Sequence, residues 1–170
     1  MRKLVLICFV LIGMDSFSQH VIEPTNQFSV QGLVKTQLSV TIPELASYRL
    51  HTVDSVVIIN HLLQEKYTLK YLKGVLLKDI LVKAEIKSGT PKELSEYYII
   101  CIASDNYKVV FPWNEIFNSK TGETVYILSE VDNKPATMSN DRITLIFTND
   151  IATGRRFVKG LEKIIVERVK

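Results

Sequence analysis

The chain has 170 residues, of which 46% are hydrophobic and 23% are charged, and its formal net charge at pH 7 is +3. This composition is typical of one globular domain, and the length is sufficient for a hydrophobic core. Because the charge is small and no stripe of Lys and Arg is interleaved with aromatic residues, the composition argues against a nucleic-acid partner.

Residues 1–18 have the pattern of a signal peptide. Arg2 and Lys3 precede an apolar run over 4–12, which is too short to span a bilayer, and small residues then lead up to a cleavage site after Ser18. We therefore expect an exported protein, periplasmic or secreted, with no membrane span in the mature chain. The alternative interpretation is a membrane anchor or a buried helix.

The part of the chain that follows predicts short strands and two helices. Three strands are expected, over 28–34, 38–42 and 54–60. Gly32 marks a bend or bulge in the first of them. A short helix is expected over 43–48, and apolar residues at helical spacing predict an amphipathic helix over 76–84. The segment 64–73 has no clear pattern.

The centre of the chain predicts a β-hairpin. The uncharged residues 97–103 are rich in β-branched and aromatic side chains, which indicates a buried strand. Residues 104–106 supply the turn, because Asp and Asn side chains bond to their own backbone. The return strand ends at Pro112, which opens a short helix. Cys101 lies inside the buried strand, so we expect a core residue and not a reactive thiol.

The last third of the chain adds three strands and no regular alternation with helices. The strands are expected over 124–128, over 143–147 and after Leu161. In total, about seven short strands and three or four short helices are predicted. This pattern favours a mixed α+β fold with a largely antiparallel sheet, formed by a single domain over 27–170.

Residues for catalysis or metal binding are not apparent. His20, His51 and His61 lack metal-ligand spacing, and only one cysteine remains after the signal peptide, which argues against zinc. No nucleophile elbow, phosphate-binding glycine loop or convincing carboxylate pair occurs. We assign no catalytic and no metal-ligating residue.

One segment has the composition of an anion site. Between Gly154 and Gly160 the chain carries three cations, Arg155, Arg156 and Lys159. Flexible backbone N–H groups together with guanidinium forks are suited to an oxyanion. In an extended stretch Arg155 and Arg156 point to opposite sides, so at most one of them is expected to face a ligand. The alternative is a solvated basic turn before the last strand.

Several segments, taken in order, resemble the molybdopterin-binding domain of the sulfite oxidase family in its short bacterial form. The similar segments are FSVQGLVK with TIPELASY, GVLLKDILVKA, ASDNYKVVFPW and GRRFVKGLEKIIV. The resemblance covers nearly the whole mature chain. It implies the fold of that family and a pterin pocket where the 54–60 strand faces the turn at 154–159. Lys159 matches the family's pterin-contacting lysine.

Two positions depart from the family pattern. The molybdenum-ligating cysteine of the family is expected near Asn60 and His61, where this chain reads INHLL, and none of these side chains replaces a thiolate as a soft ligand. Gly160 stands where the family has a tryptophan. The resemblance therefore places Asn60, His61, Gly154 and the three nearby cations at a cofactor-type pocket, while molybdopterin itself enters by resemblance only and no cofactor is expected.

Three hypotheses follow for function. In the first, the chain is an exported sulfite-oxidase-like domain without a working molybdenum centre that binds an anionic, pterin-like ligand or a protein partner. In the second, it is an active molybdopterin-dependent oxidoreductase with an unusual ligand at His61. In the third, it is a purely structural interaction module.

Overall fold

The structure is a computed structural model that describes residues 22–170. The predicted signal peptide lies outside these residues and stays a prediction. Within them the chain forms thirteen strands, two α-helices and five short 3-10 helices. Among residues 22–170, we find no helix with the length and hydropathy of a membrane span.

The regular elements follow one another closely along the chain. The strands and α-helices are β1 (Gln27–Gly32), β2 (Leu38–Thr41), β3 (His51–Val53), β4 (Val56–Ile59), β5 (Glu65–Leu69), β6 (Leu72–Leu76), α1 (Leu77–Ala84), β7 (Tyr97–Ala103), β8 (Lys108–Pro112), α2 (Trp113–Phe117), β9 (Val125–Val131), β10 (Lys134–Pro135), β11 (Thr144–Phe147), β12 (Val158–Lys159) and β13 (Leu161–Arg168). The 3-10 helices are Pro43–Ser47, Pro91–Glu96, Lys120–Thr124, Ala136–Met138 and Thr153–Arg156.

The strands form three sheets. A five-stranded sheet has the order β2-β1-β13-β7-β8, and a six-stranded sheet has the order β12-β11-β9-β6-β3 with β10 beside β9. The strands β4 and β5 form a separate hairpin. Every pairing is antiparallel except that of β1 with β13. The predicted class, α+β with a largely antiparallel sheet, is confirmed.

The six-stranded sheet is covered on both faces. On β9, Ile127 belongs to the main core, which lies against the five-stranded sheet and α1, while its neighbour Leu128 belongs to a second apolar cluster. That second cluster also contains Val56 and Ile58 of β4. Successive side chains of a strand point to opposite faces, so the β4–β5 hairpin packs on the face that the five-stranded sheet leaves free.

The central hairpin and the amphipathic helix are as predicted. The strand over Tyr97–Ala103 alternates between buried and half-buried side chains, and Cys101 is fully buried. Burial raises the pKa of the Cys101 thiol far above its ordinary value. Pro112 ends its strand and is the N-cap of α2. The bend at Gly32 is present, with φ +92°, and a Cβ there would lie 2.3 Å from the carbonyl oxygen of Val166.

The predicted number of strands was too low. The strands β3, β5 and β6 lie in segments where no strand was predicted. Four of the five residues of β5 are exposed, so its sequence lacks the apolar alternation that reveals a half-buried strand. His51 is half-buried on β3, with its ring 6.1 Å from that of Tyr126.

Candidate functional site

A cleft of about 620 Å³ opens between the turn end of the β4–β5 hairpin and the segment that leads into β12. We call it the cation cleft. It is lined by Ile58, Asn60, His61, Tyr67, Tyr107, Gly154, Arg155, Phe157 and Lys159. The cleft therefore joins the end of the 54–60 strand to the 154–159 turn, as the sequence analysis expected.

Thr153 and Gly154 fix the turn against β4. The Thr153 hydroxyl donates to the carbonyl oxygen of Val57 at 2.6 Å and accepts from the N–H of Ile59 at 2.9 Å. It thereby satisfies the edge of β4 as a neighbouring strand would. A Cβ on Gly154 would lie 2.9 Å from the carbonyl oxygen of Ile59. Glycine is therefore required for this close approach.

The turn of the central hairpin forms another wall. Asp105 Oδ1 accepts a hydrogen bond from the N–H of Tyr107 at 2.9 Å, and Asn106 adopts a left-handed conformation with φ 67°. Asn tolerates this conformation better than most residues. The Tyr107 hydroxyl donates to the carbonyl oxygen of Arg155. This bond connects the turn of the central hairpin to the basic turn at 154–159.

Asn60 and His61 occupy the cleft in different ways. The Asn60 side-chain oxygen accepts from the N–H groups of Leu62 at 2.9 Å and Gln64 at 3.0 Å, and its amide donates to the Gln64 side chain at 3.1 Å. The Asn60 side chain is therefore used to close the hairpin turn. His61 is exposed and lines the cleft.

Lys159 is held in the cleft wall by a carboxylate. Its Nζ lies 3.1 Å from Asp141 Oδ2, and its ammonium is 5.5 Å from the centre of the Phe157 ring. Partial burial on its own would lower the pKa of Lys159. The hydrogen bond and the charge of Asp141, with a further contribution from Tyr67, outweigh that effect, so the pKa of Lys159 lies above its ordinary value. Lys159 therefore remains charged at neutral pH.

The two arginines of the turn point to different places, so only one of them faces the cleft, as expected. The reason given for this was wrong, because residues Thr153–Arg156 form a 3-10 helix and not an extended stretch. Arg155 is exposed and lines the cation cleft, and it makes no ion pair or side-chain hydrogen bond with the residues of 22–170. Arg156 does not line the cleft. Its guanidinium binds Asp150 and Glu115 and lies 3.9 Å from the centre of the Phe147 ring. Of the predicted site residues, only Arg156 is outside the group that the structure brings together.

Sequence reasoning missed the aromatic lining of the cleft. The aromatic residues that line the cleft are Tyr67, Tyr107 and Phe157. No ligand-binding role was predicted for these three residues. Tyr67 comes from β5, where no strand was predicted. The available signal was the pair of aromatic residues that directly flank the turns, Tyr107 after the Asp-Asn turn and Phe157 after the arginines.

Gly160 has a local reason of its own. Its φ is +61°, and a Cβ there would lie 2.7 Å from the carbonyl oxygen of Glu23 and 2.8 Å from the Ser104 hydroxyl. The tryptophan that the resemblance leads one to expect at this position would not fit beside these groups. Glycine therefore replaces the family's tryptophan at position 160 because the main chain before β1, at Glu23, lies directly against it.

The residues at the end of β4 do not fit a thiolate-held molybdenum. Asn60 is committed to the turn, and His61 offers an imidazole in place of a soft ligand. Among residues 22–170 the one cysteine is Cys101, which is fully buried in β7 and whose thiol has a raised pKa. Within 22–170, no group of three or more His, Cys, Asp or Glu residues is arranged to hold a metal ion.

A second cleft, of about 490 Å³, lies on the other side of β4. It is lined by Thr52, Val53, Asp54, Ser55, Val56, Val57, Ile59, Tyr126, Thr148 and Thr153. None of these lining residues is a cation, and one is an acid. An anion is therefore favoured in the cation cleft and not here.

The comparison with solved structures shows that the chain has a sulfite-oxidase-like fold. One solved structure to which the chain is similar is that of the sulfane dehydrogenase SoxCD from Paracoccus pantotrophus, with a TM-score of 0.63 and 14% sequence identity. The likeness covers 84% of this chain and 39% of that chain. At this identity it shows the fold alone. No protein-family model matches the chain, and no curated protein matches it.

Proposed function

We propose that this chain is a sulfite-oxidase-like domain that binds a small anionic ligand in the cation cleft and carries no functional molybdenum centre. One observation carries the proposal: Arg155 lines the cleft with no ion-pair partner among residues 22–170, and Lys159 lines the same cleft. A guanidinium fork in such a position is suited to a carboxylate, phosphate or sulfate group.

The surroundings of the two cations favour binding over simple solvation. Lys159 is half-buried and is anchored on β12, which pairs with β11. The main chain at Arg155 is fixed by the Tyr107 hydroxyl. Because the main chain is already fixed at both cations, only side-chain freedom is lost when an anion binds. A charge-assisted hydrogen bond to such an anion contributes about 1.5–3 kcal/mol net.

The proposal is tested by titration calorimetry at low ionic strength with a panel of small anions: sulfate, phosphate, a pterin phosphate and phenylacetate. We expect the wild type to bind at least one of them in the millimolar range or below. Arg155→Ala and Lys159→Ala should each weaken that binding about tenfold, the equivalent of one charge-assisted hydrogen bond. Low salt keeps the exposed charge of Arg155 unscreened.

A matched control is Lys73→Ala. Lys73 also forms a lysine–carboxylate pair, with Glu130 at 2.9 Å, but it does not line the cation cleft. We expect it to leave anion affinity unchanged. Equal affinity in wild type, Arg155→Ala and Lys159→Ala, or no binding of any anion at millimolar concentration, would contradict the proposal and favour an interaction module.

We further propose that the protein works outside the cytoplasm, since the pattern of residues 1–18 supports export. N-terminal sequencing of protein recovered from an expressing cell should begin after Ser18. An intact Met1 on exported protein would contradict this part of the proposal.

A further inference from the structure

One of the two cations of the cleft is already neutralised by the protein. Lys159 and Asp141 are 3.1 Å apart, with side chains 33% and 27% exposed, whereas Arg155 makes no ion pair with the described residues. The cleft therefore offers one net positive charge to a ligand and not two. A singly charged anion is balanced by this arrangement, and a doubly charged one is not.

Asp141 also repels any anion that Lys159 contacts. An ammonium group presents three donors in a tetrahedral arrangement, so two acceptors on the same Nζ are about 5 Å apart. At such a distance like charges repel appreciably near a protein surface. The second charge of a dianion doubles its attraction to the cations and its repulsion by Asp141 alike, so Asp141 cancels much of what Lys159 would add for that charge, while the cost of removing the second charge from water remains. The Asp141 carboxylate thus penalises phosphate-type dianions more than carboxylates.

The rest of the lining is suited to an apolar body. Ile58 is buried, Phe157 is half-buried, and Tyr67 and Tyr107 are 46% and 43% exposed. A bare inorganic anion would leave these rings in water, while an aromatic or aliphatic group attached to the anion would cover them. The hydrophobic gain and the charge of Arg155 then act on the same ligand.

Building on the proposed function, we infer that the cation cleft selects carboxylates with an aromatic or aliphatic body over phosphate dianions. Arg155 would receive the carboxylate through its two-pronged fork. Lys159 would act as a second donor whose charge is shared with Asp141. Asp141 is then a specificity-determining residue.

The inference is tested by calorimetric titration of the purified protein at pH 8 with phenylacetate, phenyl phosphate and benzyl alcohol. At that pH the phosphate monoester is almost entirely a dianion, since its second pKa is about 6. We expect phenylacetate to bind about tenfold or more tightly than either of the others. Asp141→Asn should raise the affinity for phenyl phosphate about tenfold and change the affinity for phenylacetate much less. The substitution removes one negative charge, which repels both charges of phenyl phosphate but only the single charge of phenylacetate.

The carboxylate could come from a free acid or from a peptide terminus, and two further ligands separate these sources. 3-Phenylpropanoate presents the group as a free acid, and N-acetylphenylalanine presents it as the end of a chain. Both are expected to bind more tightly than phenyl phosphate, and the tighter of the two identifies the source. Failure of both to exceed phenyl phosphate would overturn the inference.

The failure of this inference is distinguishable from failure of the proposed function. If phenyl phosphate binds wild type more tightly than phenylacetate, or if Asp141→Asn leaves their ratio unchanged, the inference is wrong while anion binding stands. If no anion binds, the proposed function itself is wrong. Should Asp141→Asn fail to fold, the ratio measured on wild type alone still decides the outcome.

Discussion

Arg156 holds the carboxylate of Asp150 in a two-pronged ion pair, with Nε 2.7 Å from Oδ2 and Nη2 2.6 Å from Oδ1. Its Nη1 donates to Glu115 at 2.9 Å. Partial burial alone would lower the pKa of Arg156, but these hydrogen bonds and charges raise it overall. The pair ties the basic turn to α2 and to the loop after β11. Arg156 is therefore a structural anchor beside the cation cleft.

Replacing Arg156 by alanine should destabilise the protein. Asp150 and Glu115, with side chains 18% and 24% exposed, would lose their partner and part of their solvation. We expect the free energy of unfolding in urea to fall by about 2 kcal/mol. Lys35→Ala removes an ion pair whose side chains are 62% and 58% exposed, and should cost less than about 0.5 kcal/mol. Equal losses in the two variants would contradict the anchoring role.

Gly32→Ala should be strongly destabilising. The substitution puts a Cβ at a φ of +92° and 2.3 Å from the carbonyl oxygen of Val166 on the neighbouring strand. Strain of this kind costs on the order of 1–3 kcal/mol, and the backbone contact adds to it. The control is Gly89→Ala, because a Cβ at Gly89 meets only the flexible end of Glu93 at 3.2 Å. Melting temperatures of the two variants measure the difference, and similar values would contradict the bend at Gly32.

Cys101 should behave as a core residue. Once the predicted signal peptide is removed, Cys101 is the only thiol, and we expect a thiol reagent to label it only after the protein unfolds, because burial raises its pKa and blocks access. Cys101→Ser leaves a buried hydroxyl with no arranged partner and should cost about 1–3 kcal/mol. Anion affinity should not change. Rapid labelling of the folded protein, or lost binding at an unchanged melting temperature, would show a functional thiol.

The protein should show no sulfite or sulfoxide turnover. The residues that follow β4 supply an amide, an imidazole and aliphatic groups at the place where the resemblance leads one to expect a thiolate. Elemental analysis of protein purified from its native compartment measures molybdenum directly. Stoichiometric molybdenum that disappears in His61→Ala would contradict this expectation and support an oxidoreductase with a histidine ligand.

The sequence predicts those parts of the fold in which local pattern and burial agree. The strand over Tyr97–Ala103 is continuous and apolar, and its bounds are as predicted. The strand β5 could not be predicted, because exposed residues on both faces leave no periodic signal. It exists because β4 pairs with it. Short and peripheral strands depend on partners that are distant in sequence.

The candidate site follows the same division. The basic turn and the end of β4 were predicted from composition and resemblance, and the structure brings them together. Which arginine faces the cleft depends on Asp150 and Glu115, whose positions are set by tertiary packing. Likewise, Asp141 reaches Lys159 only because β11 and β12 pair. Local sequence does not contain these long-range pairings.

The location of the anion is the central claim, and NMR tests it most directly. Amide chemical shifts of labelled protein are followed while phenylacetate is added, with phenyl phosphate as a second ligand. We predict that the shifts concentrate at His61, Tyr67, Tyr107, Arg155 and Lys159 and that Arg155→Ala needs about tenfold more ligand to reach the same shifts. Shifts that concentrate instead at residues 52–55 of the second cleft, or that spread evenly over the surface, would contradict the claim.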